Sequence, residues 1–333
     1  MARLDHFQRR HSWLGFPLAV VYKFVDDQGG HLAALITYYG FVSLFPLLLL
    51  LVSVLGFTLE GDPGLQQALL GSALQQFPVI GPQLQQNVGA IQGSSLGVVL
   101  GIAGAVYGGL GVSVAIQAAL NRVWAVPHYA RPDPVVSRLR GLVLFVLFGA
   151  VILTTTALAA IGPVVAGFGS EIGISEIGTG VRIGAFVIAM AANMAAFLIL
   201  FRVLTARDVT LADLIPGAVG AGVAVQLLQT VGALFVSRQL AGVSQIYGVF
   251  GLVLGLLAWL YLQSVILVFC AEINAVRARR LWPRNLLTPF TDDVALTPAD
   301  RAAYRSYANT ERYTPAAQVH TTFDHPPSKS DES

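Results

Sequence analysis

The stretch Leu35–Phe57, LITYYGFVSLFPLLLLLVSVLGF, decides the fold. It carries no charge, and it is long enough to cross the roughly 30 Å hydrocarbon core of a bilayer, which takes about 20 helical residues. Its first half is nevertheless polar and aromatic, with Tyr38, Tyr39 and Ser43, and Pro46 interrupts it before a leucine block. Proline lacks an N–H and clashes with the carbonyl four residues back, here Val42, so a bend near Pro46 is expected. Bulk lipid cannot satisfy the freed carbonyl, and such prolines persist in membrane helices where neighbouring groups do so. Two readings follow: a packed kink with tyrosines near the membrane interface, or a kink that shapes a cavity faced by Tyr38, Tyr39 and Ser43.

The rest of the chain agrees with a membrane setting. Of 333 residues, 55% are hydrophobic and 11% charged, with mean hydropathy +0.68, against roughly 25% charged in soluble domains. Five further windows lack Asp, Glu, Lys and Arg: Leu96 to Asn121, Gly141 to Ser170, Ile183 to Phe201, Leu214 to Ser237 and Tyr247 to Ala271. With the opening window, Leu32 to Leu59, they predict an all-α polytopic protein of six transmembrane helices. The segment Gly61 to Ser95 holds eight glutamines and three prolines, costly in lipid, and reads as an external loop over 60–95. No cleaved signal is expected from the polar MARLDHFQRRHSW.

Basic residues set the orientation, because cytoplasmic loops retain Lys and Arg. Eighteen of the 20 fall in the N-terminal segment, the second and fourth loops and the C-terminal tail, leaving Arg182 and Arg238 for the other side. Both termini are therefore expected in the cytoplasm. Three regions follow: 1–31, a cytoplasmic segment with an amphipathic helix; 32–281, the six-helix domain; and 282–333, a polar cytoplasmic tail with six prolines, expected to be largely disordered. In the first, Leu18, Val21, Tyr22 and Val25 share a face suited to the inner membrane surface, with Lys23, Asp26 and Asp27 elsewhere.

Helix packing is written in glycine. Gly97, Gly101, Gly104, Gly108 and Gly111 share one face of the second span, where a partner backbone can approach closely, and Gly251 and Gly255 repeat a shorter version in the sixth. Such faces would serve an intramolecular bundle or a dimer equally well, so oligomeric state stays open. Polar groups gather near helix ends: Asn121, Arg122, Arg202, Asp213, Glu272 and Asn274. Arg202 suits a helix C-terminus and Asp213 an N-terminus, whereas Glu272 opposes the dipole and should seek a cation such as Arg122 or Arg202. Asn193 and Gln263 are among the few polar residues deeper in the spans.

Signatures of catalysis are missing. The six histidines lie in tails or loops without metal-ligand spacing, neither a phosphate-binding loop nor a serine elbow occurs, and Cys270 is the only cysteine. Neither enzyme activity, nor a cofactor or metal, nor nucleic acid as partner is expected; membrane lipids are.

The motifs ALITYYGFVSLFPLLLLL (Ala34 to Leu51), NRVWAV (Asn121 to Val126), LADLIPGA at the start of the fifth helix, and YGVFGLVLGLLAWLYLQSVILVFCAEINA (Tyr247 to Ala275) resemble the YihY/BrkB family of bacterial inner-membrane proteins. The resemblance implies an inner-membrane location and a six-helix fold. Its members, once labelled ribonuclease BN, have been linked to serum resistance and to movement of lipid precursors. The expectation is then a protein that moves, or helps to move, an amphipathic envelope lipid, with Tyr38, Tyr39, Ser43, Pro46, Asn121, Arg122, Asn193, Arg202, Glu272 and Asn274 as candidates along the path. The competing expectations are a non-transporting scaffold that docks partners through its tail and, with least in its favour, a membrane ribonuclease.

Overall fold

The computed structural model describes residues 12–58, 95–144, 175–239, 248–288 and 294–323. Among them every regular element is helical, with no strand. We number the helices α1 (Ser12–Asp26), α2 (Gly29–Thr58), α3 (Ser95–Val123), α4 (Ser175–Leu204), α5 (Leu211–Gln239), α6 (Gly248–Arg279) and α7 (Pro298–Thr310); a further helical run covers 134–144. Among the described residues three segments are long and apolar enough to cross a membrane: Phe186–Leu204, Leu211–Gly232 and Val253–Arg279. The loop expected over 60–95 and most of the expected third span fall outside the described residues.

The opening stretch folds as α2, helical throughout, and lies along α3. The two helices run antiparallel, and the glycine stripe of α3 receives the polar, proline-bearing half of α2. A Cβ on Gly104 would stand 2.7 Å from Pro46, one on Gly108 2.5 Å from the Cα of Ser43, and one on Gly111 2.5 Å from the ring of Tyr39. Only hydrogen fits at these positions, which is how small residues let membrane helices approach. Gly101 is buried too, whereas Gly97 has no described surroundings. The sixth-span version differs from expectation, with Gly251 exposed and Gly255 half-buried. The second glycine seam lies on α5 instead, where Gly217 meets Cys270 and Asn274 of α6, Gly222 meets Met194 of α4, and Gly232 meets the Trp259 ring of α6.

A proline in α5 shows how the freed carbonyl is handled. Pro216 cannot donate to Ala212, and Arg277 of α6 donates to that oxygen instead, at 3.1 Å. In α2 the Ser43 hydroxyl donates to Gly40 at 2.9 Å, not to Val42.

The continuous core gathers toward one end, where α3 finishes, α4 turns into α5 and α6 finishes, around Leu120, Val123, Phe201, Leu204, Leu214, Val268 and Ala271. The same end carries α1 and α7. Helix α1 turns Val21 and Val25 outward, 45% and 66% exposed, and Ala19, Val20, Lys23 and the neighbouring Asp27 inward. Val21 and Val25 are thus open to a membrane surface, as an interfacial helix requires, whereas Tyr22 of the same face donates to the Leu286 carbonyl at 2.9 Å and Lys23 points into the protein.

The tail differs from the disordered segment expected. Residues 294–323 are described, and α7 starts on a capping box in which Thr297 Oγ1 accepts from the Asp300 amide and Asp300 accepts from the Thr297 amide. Arg284, 2% exposed, donates from Nη1 to Asp26 at 2.6 Å and from Nε to Asp300 at 2.9 Å. Tyr307 donates to Asp26 at 3.0 Å, and His128 stacks on Tyr313 with centroids 4.2 Å apart. Too poor in apolar residues for a core of its own, the tail is fastened by polar groups to α1 and to the loop after α3.

Candidate functional site

Two features could do chemistry or binding: a cavity among the long helices and a cluster of buried charge beyond its floor.

The cavity has a volume of about 300 Å³. Its walls come from α2 (Ile36, Thr37, Gly40, Ser43), α3 (Val112, Ser113, Ile116), the 134–144 run (Gly141, Leu144), α4 (Phe197, Leu200, Leu204), α5 (Val225) and α6 (Leu260, Gln263, Ser264, Leu267). The lining is mainly aliphatic, and three of its four hydroxyls are committed elsewhere. Thr37 donates to Ala33 at 2.7 Å, Ser264 to Leu260 at 2.8 Å and Ser43 to Gly40, each a carbonyl of its own helix. Hydroxyls bonded in this way present mostly carbon to the lumen, so the cavity suits an apolar chain better than a charged headgroup.

The second feature lies about 7.5 Å further along α6, at 1.5 Å per residue from Leu267 to Glu272. Glu272 and Asp27, both with side chains 0% exposed, converge on Lys23, itself 1% exposed. Lys23 Nζ bonds Asp27 Oδ2 and stands 3.2 Å from Glu272 Oε2, an ion pair without hydrogen-bond alignment. Arg122 Nε lies 3.7 Å from Asp27 Oδ1, and its Nη1 bonds Glu311 of the tail at 3.0 Å. The Tyr307 ring covers Lys23 at 5.7 Å. Burial, followed by the fields of Asp26 and Asp27, holds the Tyr307 hydroxyl above the usual phenol range. Arg284 is likewise held above the arginine range: burial opposes its charge, but Tyr307, Asp26 and Asp300 more than offset that.

The residues singled out in the sequence are scattered by this arrangement. Ser43 lines the cavity, Tyr39 and Pro46 pack on the α3 glycines, and Tyr38 turns away from the bundle, 62% exposed. Asn121 accepts from the Ala206 amide at 3.2 Å and Asn274 from the Gly217 amide at 2.6 Å, so both tie helices together. Arg202 closes the α4–α5 turn through the Val209 carbonyl at 2.9 Å. Asn193 is half-buried on α4, away from the cavity lining. Glu272 does find a cation, but it is Lys23, not Arg122 or Arg202. Sequence reasoning missed Lys23 and Asp27; their four-residue spacing, right for a helical ion pair, was the available signal.

The virulence factor BrkB family matches residues 20–290, a span that includes α2, α3, α6, the cavity and the charge cluster. The chain belongs to this family. Two relatives agree: a protein of Dickeya dadantii (strain 3937) described as uncharacterized, 27% identical over 263 residues covering 75% of this chain and 79% of that protein, and the inner membrane protein YhjD of Escherichia coli (strain K12), 25% identical over 277 residues covering 79% of this chain and 80% of its own. No solved structure matches. This BrkB-family chain is thus a membrane protein with long apolar helices. The family match stops at 290, so Tyr307 of α7 and Glu311 just after it, which cover the charge cluster, lie beyond it.

Proposed function

We propose that this BrkB-family protein moves, or helps to move, an amphipathic envelope lipid, seating part of its apolar chain in the cavity between α2, α3, α4 and α6. The reading takes α2, α3, the helix beginning at 134, α4, α5 and α6 as six spans with both termini cytoplasmic, in keeping with the placement of basic residues. It assigns no catalytic step and no cofactor. The observation that carries it is the cavity: lined by several long helices, mainly aliphatic, with three of its four hydroxyls turned to their own backbones. At the roughly 30 Å³ that each water occupies in the liquid, about 300 Å³ holds a segment of one chain rather than a whole lipid. The headgroup would then stay outside the bundle, which explains why no charge need line the lumen. A scaffold docking partners through its tail has less support, because the polar groups of α7 are engaged with Arg284 and Asp26 of the same chain.

Native mass spectrometry of gently extracted protein tests the reading. A chemically distinct lipid should survive removal of bulk lipid, and Gly40→Phe, which projects into the cavity from a position where a Cβ meets nothing within 4 Å, should abolish its retention in protein that still folds. Retention of ordinary annular lipid alone, or retention unchanged in Gly40→Phe, would sink it.

A further inference from the structure

We propose that Gln263 selects the occupant of the cavity, its side-chain amide donating a hydrogen bond to an ester or amide carbonyl, so that the ligand is an acylated lipid and not a pure hydrocarbon such as a polyisoprenoid chain. The inference rests on the reading of the cavity as a chain-binding site. The wall that α6 contributes is one helical stripe, Leu260, Gln263, Ser264 and Leu267, and that spacing sets Gln263 on the face turned to the lumen. Its neighbour Ser264 is tied down, donating to Leu260 at 2.8 Å and accepting from Thr37 of α2 at 3.2 Å. Gln263 is half-buried, and among the described residues no hydrogen bond ends on its amide.

A second free donor stands at the same depth. Gly111 of α3 meets Tyr39 of α2, so two residues further along this antiparallel pair Ser113 is level with Thr37, which is itself bonded to Ser264 beside Gln263. Ser113 is buried and lines the cavity; its oxygen accepts from Gln117 Nε2 at 3.3 Å, and among the described residues its own hydrogen reaches no acceptor. A carbonyl oxygen has two lone pairs, enough for both donors. A hydrocarbon chain offers none, and would leave the Gln263 amide stripped of water without a partner, which costs free energy on the scale of a lost hydrogen bond. A phosphate is equally unsuited, because no Lys or Arg is among the lining residues.

Native mass spectrometry of the full chain in detergent, titrated with a diacyl phosphatidylglycerol and with its dialkyl-ether counterpart of equal chain length, provides the test. The ether lipid keeps the headgroup and the chains but has no carbonyl. Wild type should hold the diacyl lipid roughly fivefold better, the factor that one hydrogen bond of ordinary net strength supplies. Gln263→Met, unbranched and a good helix former like glutamine, should fold, hold both lipids and lose the preference, with Gln263→Leu as a second apolar form. Equal retention of the two lipids by wild type, or a preference that survives in both variants, would overturn the proposal and leave the cavity reading standing, provided that Gly40→Phe releases both lipids. Retention of neither lipid by wild type, or of both by Gly40→Phe, would overturn the cavity reading and this inference with it.

Discussion

Where α2 meets α3, three glycines take in Pro46, Ser43 and Tyr39 so closely that a single added carbon would collide; where α1 meets α6 and α7, Lys23, Asp27, Glu272, Arg284 and Asp300 are all but excluded from solvent, beside an apolar contact of Ala19 and Val20 with Val276 and Leu281. The contrast follows from the surroundings. Lipid tails are as apolar as leucine, so long helices gain little from apolar burial and are selected for close backbone fit. Short α1 and α7 offer less packed surface, and buried charge adds to the apolar contact of Ala19 and Val20 with Val276 and Leu281 in attaching them. A seam built on shape should tolerate no added volume, while a junction built on charge should tolerate volume but no uncompensated charge.

The largest effect should come from breaking the charged junction. Lys23→Met leaves two buried carboxylates without their shared cation, and loss of one partner of a buried pair costs about 3–5 kcal/mol; thermal unfolding in detergent should show it as a sharply lowered midpoint. Gly108→Ala comes next, because its Cβ would press on the Ser43 backbone rather than on a flexible side-chain end. Overpacking of this kind costs about 1–3 kcal/mol, and a distance measured by spin labels on α2 and α3 should lengthen. Asp300→Asn should act more locally, weakening the Arg284 pair and the cap of α7 for about 1 kcal/mol of the cap. Limited proteolysis would then cut near 294–310 while the long helices remain intact. Smallest of all is Gly40→Ala: open space awaits the new Cβ, so the unfolding midpoint should hold or rise slightly with the better helix former. A Gly40→Ala variant as damaged as Gly108→Ala would erase the distinction between a seam and a cavity wall on the same pair of helices.

Much of the seam was legible in the sequence, because it is periodic. Gly104, Gly108 and Gly111 recur at helical spacing, and the polar half of the opening stretch called for a neighbour. The same spacing misled at Gly251 and Gly255, since period identifies a face but not what covers it. The charged junction was harder to see. A helical wheel places Lys23 among the polar residues of α1 and leaves it in water, and only the tertiary fold brings it to Glu272 from the far end of the chain. In the tail, composition argued for disorder, yet Thr297, Pro298 and Asp300 spell a helix start in four residues. Composition measures whether a segment can build a core, and α7 needs none because it borrows its partners from α1 and from Arg284.

Cys270, packed against α5 beside Gly217 and Gly220, is the only thiol in the chain and is buried. That makes the native sequence a silent background for maleimide chemistry. A cysteine placed at Tyr313, 71% exposed at the α7 end, would stand alone in a labelling gel, and whether an impermeant reagent reaches it in intact cells or only in broken ones reads out the sidedness of that end without shortening the tail whose Asp300 pairs with Arg284.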